Sequence, residues 1–303
     1  MKKIVSRRYS IPIHKLAPVI NSCEDNSPRI INYDLNSFKE TNLNILYTAK
    51  TNEIDNWCSE NLNYATESGF DLEMKPAFFK SKISTATVIA PATFQIAVKQ
   101  NSEYRTLVAH VHHLPKTEFP KNLAKFFNNH RIQKNGVAIK EDHQNIRRFY
   151  EKRGLNTAEL NPVGFKDLVE YSKLLWYTYD LNENNYTGDK RVAPTTFPAG
   201  LKSMSFQYLG MKIEKKKNIQ CSNWENPLSQ IQVNYAAMDS LLGLILRERF
   251  LDLLEKEKKE YDVLEILNAE KALLKEEAKL KKKLAKKAKL DGAKESIELN
   301  KTL

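Results

Sequence analysis

The chain has 303 residues, 41% hydrophobic and 10% aromatic, which suits one substantial globular domain with appendages. Its 48 Lys and Arg against 37 Asp and Glu give a formal net charge of +11, a balance that favours anionic partners such as nucleic acid and also serves solubility. No run of about eighteen apolar residues exists, so no membrane span is expected, and Cys23, Cys58 and Cys221 are too few and too scattered for a disulfide framework or a zinc knuckle, which points to a reducing compartment.

Residues 1–44 read as a basic arm and linker rich in Asn, Ser and Pro. The first 23 residues hold Lys2, Lys3, Arg7, Arg8 and Lys15 without an acid, the composition of a mitochondrial presequence. Pro12 and Pro18 interrupt any long amphipathic helix, so a disordered arm is preferred to a transit peptide. A hydrophobic secretory signal is not expected.

From about residue 45 the pattern becomes globular. "ILYTAK" predicts a strand and "EIDNWCSENL" a short helix, and "SGFDLEM", "TFQIAV" and "YRTLVAHVHH" predict three further strands by their alternation and β-branched content. "KNLAKFFNNH" reads as a helix and "GVAIK" as a short strand; Asp142 then opens a helix that Gly154 closes. "FKDLVEYSKLLWYTY" and "PAGLKSMSFQYLG" are predicted helices separated by a polar loop over 180–197. The stretch from "PLSQIQVNYAAMD" onward is the strongest helix of all. Strands first and helices later predict an α/β domain on one mixed sheet, over residues 45–255.

Residues 256–303 form a charged tail. Between 271 and 290 nine lysines face two glutamates with no Pro, which predicts a long basic C-terminal helix. Its leucines do not sustain heptads, so a coiled coil is not the preferred reading. The tail reads either as a solvated charge run or as a phosphate contact or nuclear targeting signal.

Asp71 and Glu73 stand two apart in the predicted strand, so both project to one face while Phe70 and Leu72 take the other. Two acids so close repel unless they face water or share a cation, and a hard divalent ion such as Mg²⁺ or Mn²⁺ suits their oxygens. Tyr235 and Asp239 are spaced i, i+4, which puts a phenol and a carboxylate on one helix face. Asp142 at a strand-to-helix junction reads first as an N-cap.

"GFDLEMKP", "KNGVAIKEDHQNIRRF" and "CSNWENPLSQIQVNYAAMDSLLGL" resemble, in order, the three exonuclease motifs of the DEDD superfamily. The tyrosine four residues before the last acid resembles the tyrosine-bearing branch. That branch includes the exonuclease domain of the Werner-syndrome helicase with its stand-alone relatives and, more distantly, ribonuclease D. The resemblance implies a ribonuclease-H-like mixed five-stranded sheet flanked by helices. It also implies 3′→5′ hydrolysis from the 3′ end of DNA or RNA by two Mg²⁺ or Mn²⁺ ions, releasing nucleoside 5′-monophosphates. By the same resemblance Asp71, Glu73, Asp142 and Asp239 are metal ligands. On that resemblance Asp71 would bridge both ions, Glu73 and Asp239 would complete one site, Asp142 would support the other through water, and Tyr235 would orient the attacking water.

Met74 departs from the pattern, which has Trp at that position, while Gln95 matches it. The stretch from Lys75 to Ala92 and the loop at 180–197 are longer than the pattern expects. His110 and His112 share a predicted strand face and could bind zinc, although isolated surface or core histidines fit better without further knuckle ligands. Trp224 reads as a loop anchor in preference to a base-stacking platform. The rival to a nuclease is a catalytically weak or inactive exonuclease-like binder of nucleic acid. A nuclear or nucleocytoplasmic protein is expected from the tail, a mitochondrial one from the N-terminus.

Overall fold

The computed structural model describes residues 4–16, 41–76, 90–115, 118–155, 160–183 and 197–256. The chain divides into two units, Met1–Phe250 and Leu251–Leu303. Only residues 251–256 of the second are described, and they are helical.

Among the described residues seven strands form one mixed sheet. They are β1 (Arg7–Pro12), β2 (Asn42–Thr48), β3 (Glu67–Met74), β4 (Pro91–Gln100), β5 (Glu103–Ala109), β6 (Gln133–Gly136) and β7 (Phe165–Asp167), ordered β1-β2-β5-β4-β3-β6-β7. Strand β4 runs antiparallel to both β3 and β5, whereas β6 is parallel to β3 and β7 parallel to β6. These five make the expected ribonuclease-H-like sheet. Strand β2 extends it by pairing parallel to β5, and β1 pairs antiparallel to β2 at the edge.

The helices are α1 (Ile13–Leu16), α2 (Thr51–Asn61), α3 (Lys121–Asn128), α4 (Ile139–Lys152), α5 (Leu168–Glu183), α6 (Leu201–Leu209), α7 (Lys217–Gln220) and α8 (Gln230–Lys256). The first eight residues of β4 are all buried, as a central strand covered on both faces requires. On one face Phe70 and Leu72 of β3 join Ile54 and Trp57 of α2, Leu123, Phe126 and Phe127 of α3, and Ile146 and Phe149 of α4. Phe94 of β4 meets Phe127 and Phe149 edge-on at 5.3 and 5.4 Å between ring centres, the arrangement that ring quadrupoles favour. Each fully buried phenylalanine contributes roughly 2–3 kcal/mol, so this face supplies a large share of the cohesion. The opposite face of β3 carries Gly69, Asp71 and Glu73 in place of bulky apolar side chains.

Several elements differ from the sequence expectation. Residues 7–12 are not part of a free arm but strand β1, held by its pairing with β2 and by side chains. Arg7 donates to the Leu228 carbonyl and lies over the Tyr47 ring at 4.7 Å, and Tyr9 donates to Asn234 at 2.7 Å. The strand expected at "GVAIK" lies three residues earlier, over Gln133–Gly136. Its polar letters hid it: Lys134 is buried because its ammonium donates to the Asn129 and Val163 carbonyls, and buried Asn135 donates to Glu67 and to the Ser68 carbonyl. Helix α4 starts at Ile139, after Ala138 in the left-handed region (φ 59°), so Asp142 lies within its first turn and is not its N-cap. Phe165–Asp167 is a strand instead of the start of a helix, and Asp167 Oδ1 accepts from the Val169 amide where α5 begins. Strand β5 ends at Ala109, so His110 and His112 do not share a strand face. Most of the stretch after Met74, most of the 180–197 loop and the lysine-rich tail lie outside the described residues. No described helix is long and apolar enough to cross a membrane.

Candidate active site

Two acids reach the polar face of β3 by strict alternation. Asp71 lies opposite Gln95 and Glu73 opposite Thr93 on β4. Beyond Glu73 the register shifts in a bulge where Met74 faces Pro91, a residue with no amide hydrogen to donate to the ladder. Both acids keep partial access to solvent.

The third acid comes from α8, whose start is fixed by a reciprocal cap. The Gln232 amide donates to Ser229 Oγ, and the Ser229 amide donates to Gln232 Oε1 at 2.9 Å. The same glutamine donates to Ser222 Oγ at 2.9 Å, tying the helix to the "SNW" segment. Trp224 in that segment is wholly buried, donates to the Gln220 carbonyl at 3.0 Å and lies 6.0 Å from the Tyr235 ring, which makes it an anchor. His110 accompanies it: buried, it bridges the Tyr47 hydroxyl and the Trp224 carbonyl, and burial pushes its pKa down to about 3. A neutral imidazole with both nitrogens engaged is structural and offers zinc no lone pair.

Helix α8 presses onto the acidic face of β3 without a side chain between them. A Cβ placed on Gly69 would lie 1.7 Å from the Ser240 carbonyl oxygen, and one on Gly243 would lie 2.7 Å from the Asn135 carbonyl oxygen. Both glycines permit an approach that any other residue would block. Gly69 shares its strand face with Asp71, and Ser240 follows Asp239, so this contact sets the two carboxylates together.

Asp71, Glu73 and Asp239 each present a carboxylate oxygen within 4.8 Å of the others, and these three are the possible metal-holding group among the described residues. Burial and then the Asp239 charge push the Asp71 pKa up to about 7, while the Lys215 ammonium and the Leu72 amide oppose the rise. Glu73 is raised well above the ordinary range by burial and by Asp71. Asp239 is also raised by burial, against the pull of Lys215. One of its oxygens, Oδ2, pairs with Lys215 at 2.8 Å; the other, Oδ1, is buried, and the Tyr235 hydroxyl also interacts with this carboxylate. A buried anionic oxygen is costly and suits a hard cation.

Asp142 stands outside the three-carboxylate group yet feels it. Burial first, then Asp71, pushes its pKa up to about 8, and it in turn raises Glu73. Tyr235 is one helical turn before Asp239, and burial followed by the Asp239 and Glu73 charges holds its phenol above the ordinary range. Asp71, Glu73 and Asp239 thus come together, with Tyr235 one turn from Asp239 and Asp142 outside the group but within reach of its charge. Lys215 was not foreseen, although the sequence carries its signal. Met211, Ile213 and Lys215 alternate inward while Lys212, Glu214 and Lys216 point out, a two-residue period within a basic run.

Residues 47–255 match the family model described as "3'-5' exonuclease". No curated protein sequence matches the chain. Among solved structures, the Aedes aegypti Nibbler EXO domain is 19% identical, with a TM-score of 0.49 and coverage of 79% of this chain and 98% of that one. Trypanosoma brucei RNase D is 14% identical at a TM-score of 0.48, covering 68% and 64% of the two chains. The EXD2 exonuclease domain soaked in Mn and Mg is 19% identical at a TM-score of 0.35, covering 72% and 97%.

Proposed function

This chain belongs to the 3′-5′ exonuclease family, and on that premise we propose that it removes nucleotides from the 3′ end of DNA or RNA by two-metal-ion hydrolysis, releasing nucleoside 5′-monophosphates. The observation that carries the proposal is the meeting of the Asp71, Glu73 and Asp239 carboxylates, with an oxygen of each within 4.8 Å of the others. These three would hold the divalent cations, with Asp142 assisting from the rim. Bound there, Mg²⁺ or Mn²⁺ would activate the attacking water and neutralise charge on the leaving 3′ oxygen.

The protein's own residues do the positioning. Asp71 and Glu73 retain access to solvent, which gives water and a phosphodiester a route to the cluster. Tyr235 keeps its proton because burial and two neighbouring carboxylates disfavour a phenolate. It therefore orients water as a hydrogen-bonding group and does not act as the base, the role expected of the tyrosine-bearing branch. Trp224 and the Ser229–Gln232 cap hold the turn that carries it. A protein that only bound nucleic acid would gain nothing from setting carboxylates against phosphates.

The test is digestion of 5′-labelled single-stranded, recessed-end and duplex DNA, and of RNA, with Mg²⁺ or Mn²⁺ and with EDTA. The expected result is a ladder shortened from the 3′ end, abolished by EDTA and by Asp71→Ala, Glu73→Ala or Asp239→Ala in folded protein. Intact substrates with both metals, or full activity in those variants, would reject the proposal.

A further inference from the structure

Three consecutive lysines, Lys215–Lys217, precede the "SNW" segment, and only the first enters the acidic cluster. The Lys215 ammonium lies 2.8 Å from Asp239 Oδ2 and 5.6 Å from the centre of the Tyr235 ring. The Asp239 side chain is 2% exposed and that of Lys215 21% exposed, so water screens the pair poorly. Its charge also acts on Asp71 and Glu73. Lys216, by contrast, points outward to Glu214 at 3.5 Å, with both side chains more than half exposed. One ammonium thus serves three carboxylates from a place that the two neighbouring lysines do not share.

Charge counting gives this lysine a task. Asp71, Glu73, Asp142 and Asp239 carry four negative charges when ionised, and two divalent cations supply four positive ones. With both ions bound the ammonium is surplus; with none it is the only positive side chain described as paired with the cluster. We propose that Lys215 is a resident counter-cation that holds the carboxylates together in the metal-free protein and competes with the entering divalent ion for Asp239. The inference rests on the metal-dependent reading of the site and adds to it a built-in threshold for metal loading. Asp239 must exchange its partner for an ion to enter, so the lysine weakens metal binding while protecting the empty cluster from its own repulsion.

The test pairs calorimetric titration of Mn²⁺ into the full chain with thermal melts in EDTA and in saturating Mn²⁺, for wild type, Lys215→Met, Lys215→Arg and Lys216→Met. Lys215→Met is expected to bind Mn²⁺ at least about fivefold more tightly, as expected when a competitor is removed. The same variant should melt below wild type in EDTA and lose that deficit when saturated with Mn²⁺. Lys215→Arg, which keeps the charge, should bind no more tightly than wild type, and it carries the comparison if the methionine variant does not fold: tighter binding by the arginine variant would overturn the proposal. Lys216→Met should match wild type, because a general electrostatic effect would move both positions. Equal or weaker Mn²⁺ binding by Lys215→Met would overturn the proposal and leave the nuclease reading standing. Absence of uptake by every variant would remove both.

Discussion

The backbone of Gly69 lies so close to the Ser240 carbonyl that a single added carbon would come within 1.7 Å of its oxygen. The contact joins β3 to α8 one residue from Asp239 and two from Asp71, so the spacing of the carboxylates is set by the absence of a side chain. The atom opposite is backbone and cannot swing away. Gly69→Ala is expected to destabilise the protein by about 3 kcal/mol, through strand–helix separation. In folded protein it should also lower Mn²⁺ affinity, because Asp71 and Asp239 move apart. Urea denaturation and metal titration check this; a wild-type midpoint with wild-type affinity would refute it.

Asp71 gives a prediction whose sign is the reverse of an ordinary salt-bridged acid. Its folded pKa is pushed up to about 7 from an ordinary 3.8, so between those values the folded protein holds a proton that the unfolded chain has released. Stability without metal therefore falls as pH rises through that window. Asp71→Asn imitates the protonated acid. In EDTA its margin over wild type should be about 2–3 kcal/mol larger at pH 8 than at pH 5, because most of that window lies between the two pH values. Denaturant titrations at the two pH values decide the matter, and an equal difference at both would contradict the account.

Tyr235→Phe removes a hydroxyl and keeps the ring against Trp224. Single-turnover cleavage is expected to slow about 10- to 100-fold, the lower range for a group that positions a reacting proton. Oligonucleotide affinity in Ca²⁺ should stay within twofold or so of wild type, because the ring contact survives. Unchanged turnover would remove the tyrosine from the chemistry.

Much of this site was legible because its geometry is local. Alternation placed Asp71 and Glu73 together, and helical spacing placed Tyr235 with Asp239. The resemblance then joined strand, helix and Asp142 across more than a hundred residues, which no local period could do. What stayed hidden depended on tertiary partners. Lys134 and Asn135 fell just outside the strand expected at "GVAIK", yet form strand β6 because carbonyls and Glu67 satisfy them. Asp142 read as a cap until the left-handed Ala138 moved the helix start forward. Strand β1 was hidden in a basic arm because Arg7 is held by groups more than two hundred residues away. Lys215 was masked by the two solvent-facing lysines beside it.

The most direct test is anomalous diffraction from crystals of the protein soaked in Mn²⁺. The account predicts anomalous density within coordination distance of Asp71, Glu73 and Asp239, lost in Asp71→Ala. Mn²⁺ held only elsewhere, or no anomalous density in a crystal whose three carboxylates are accessible, would contradict it.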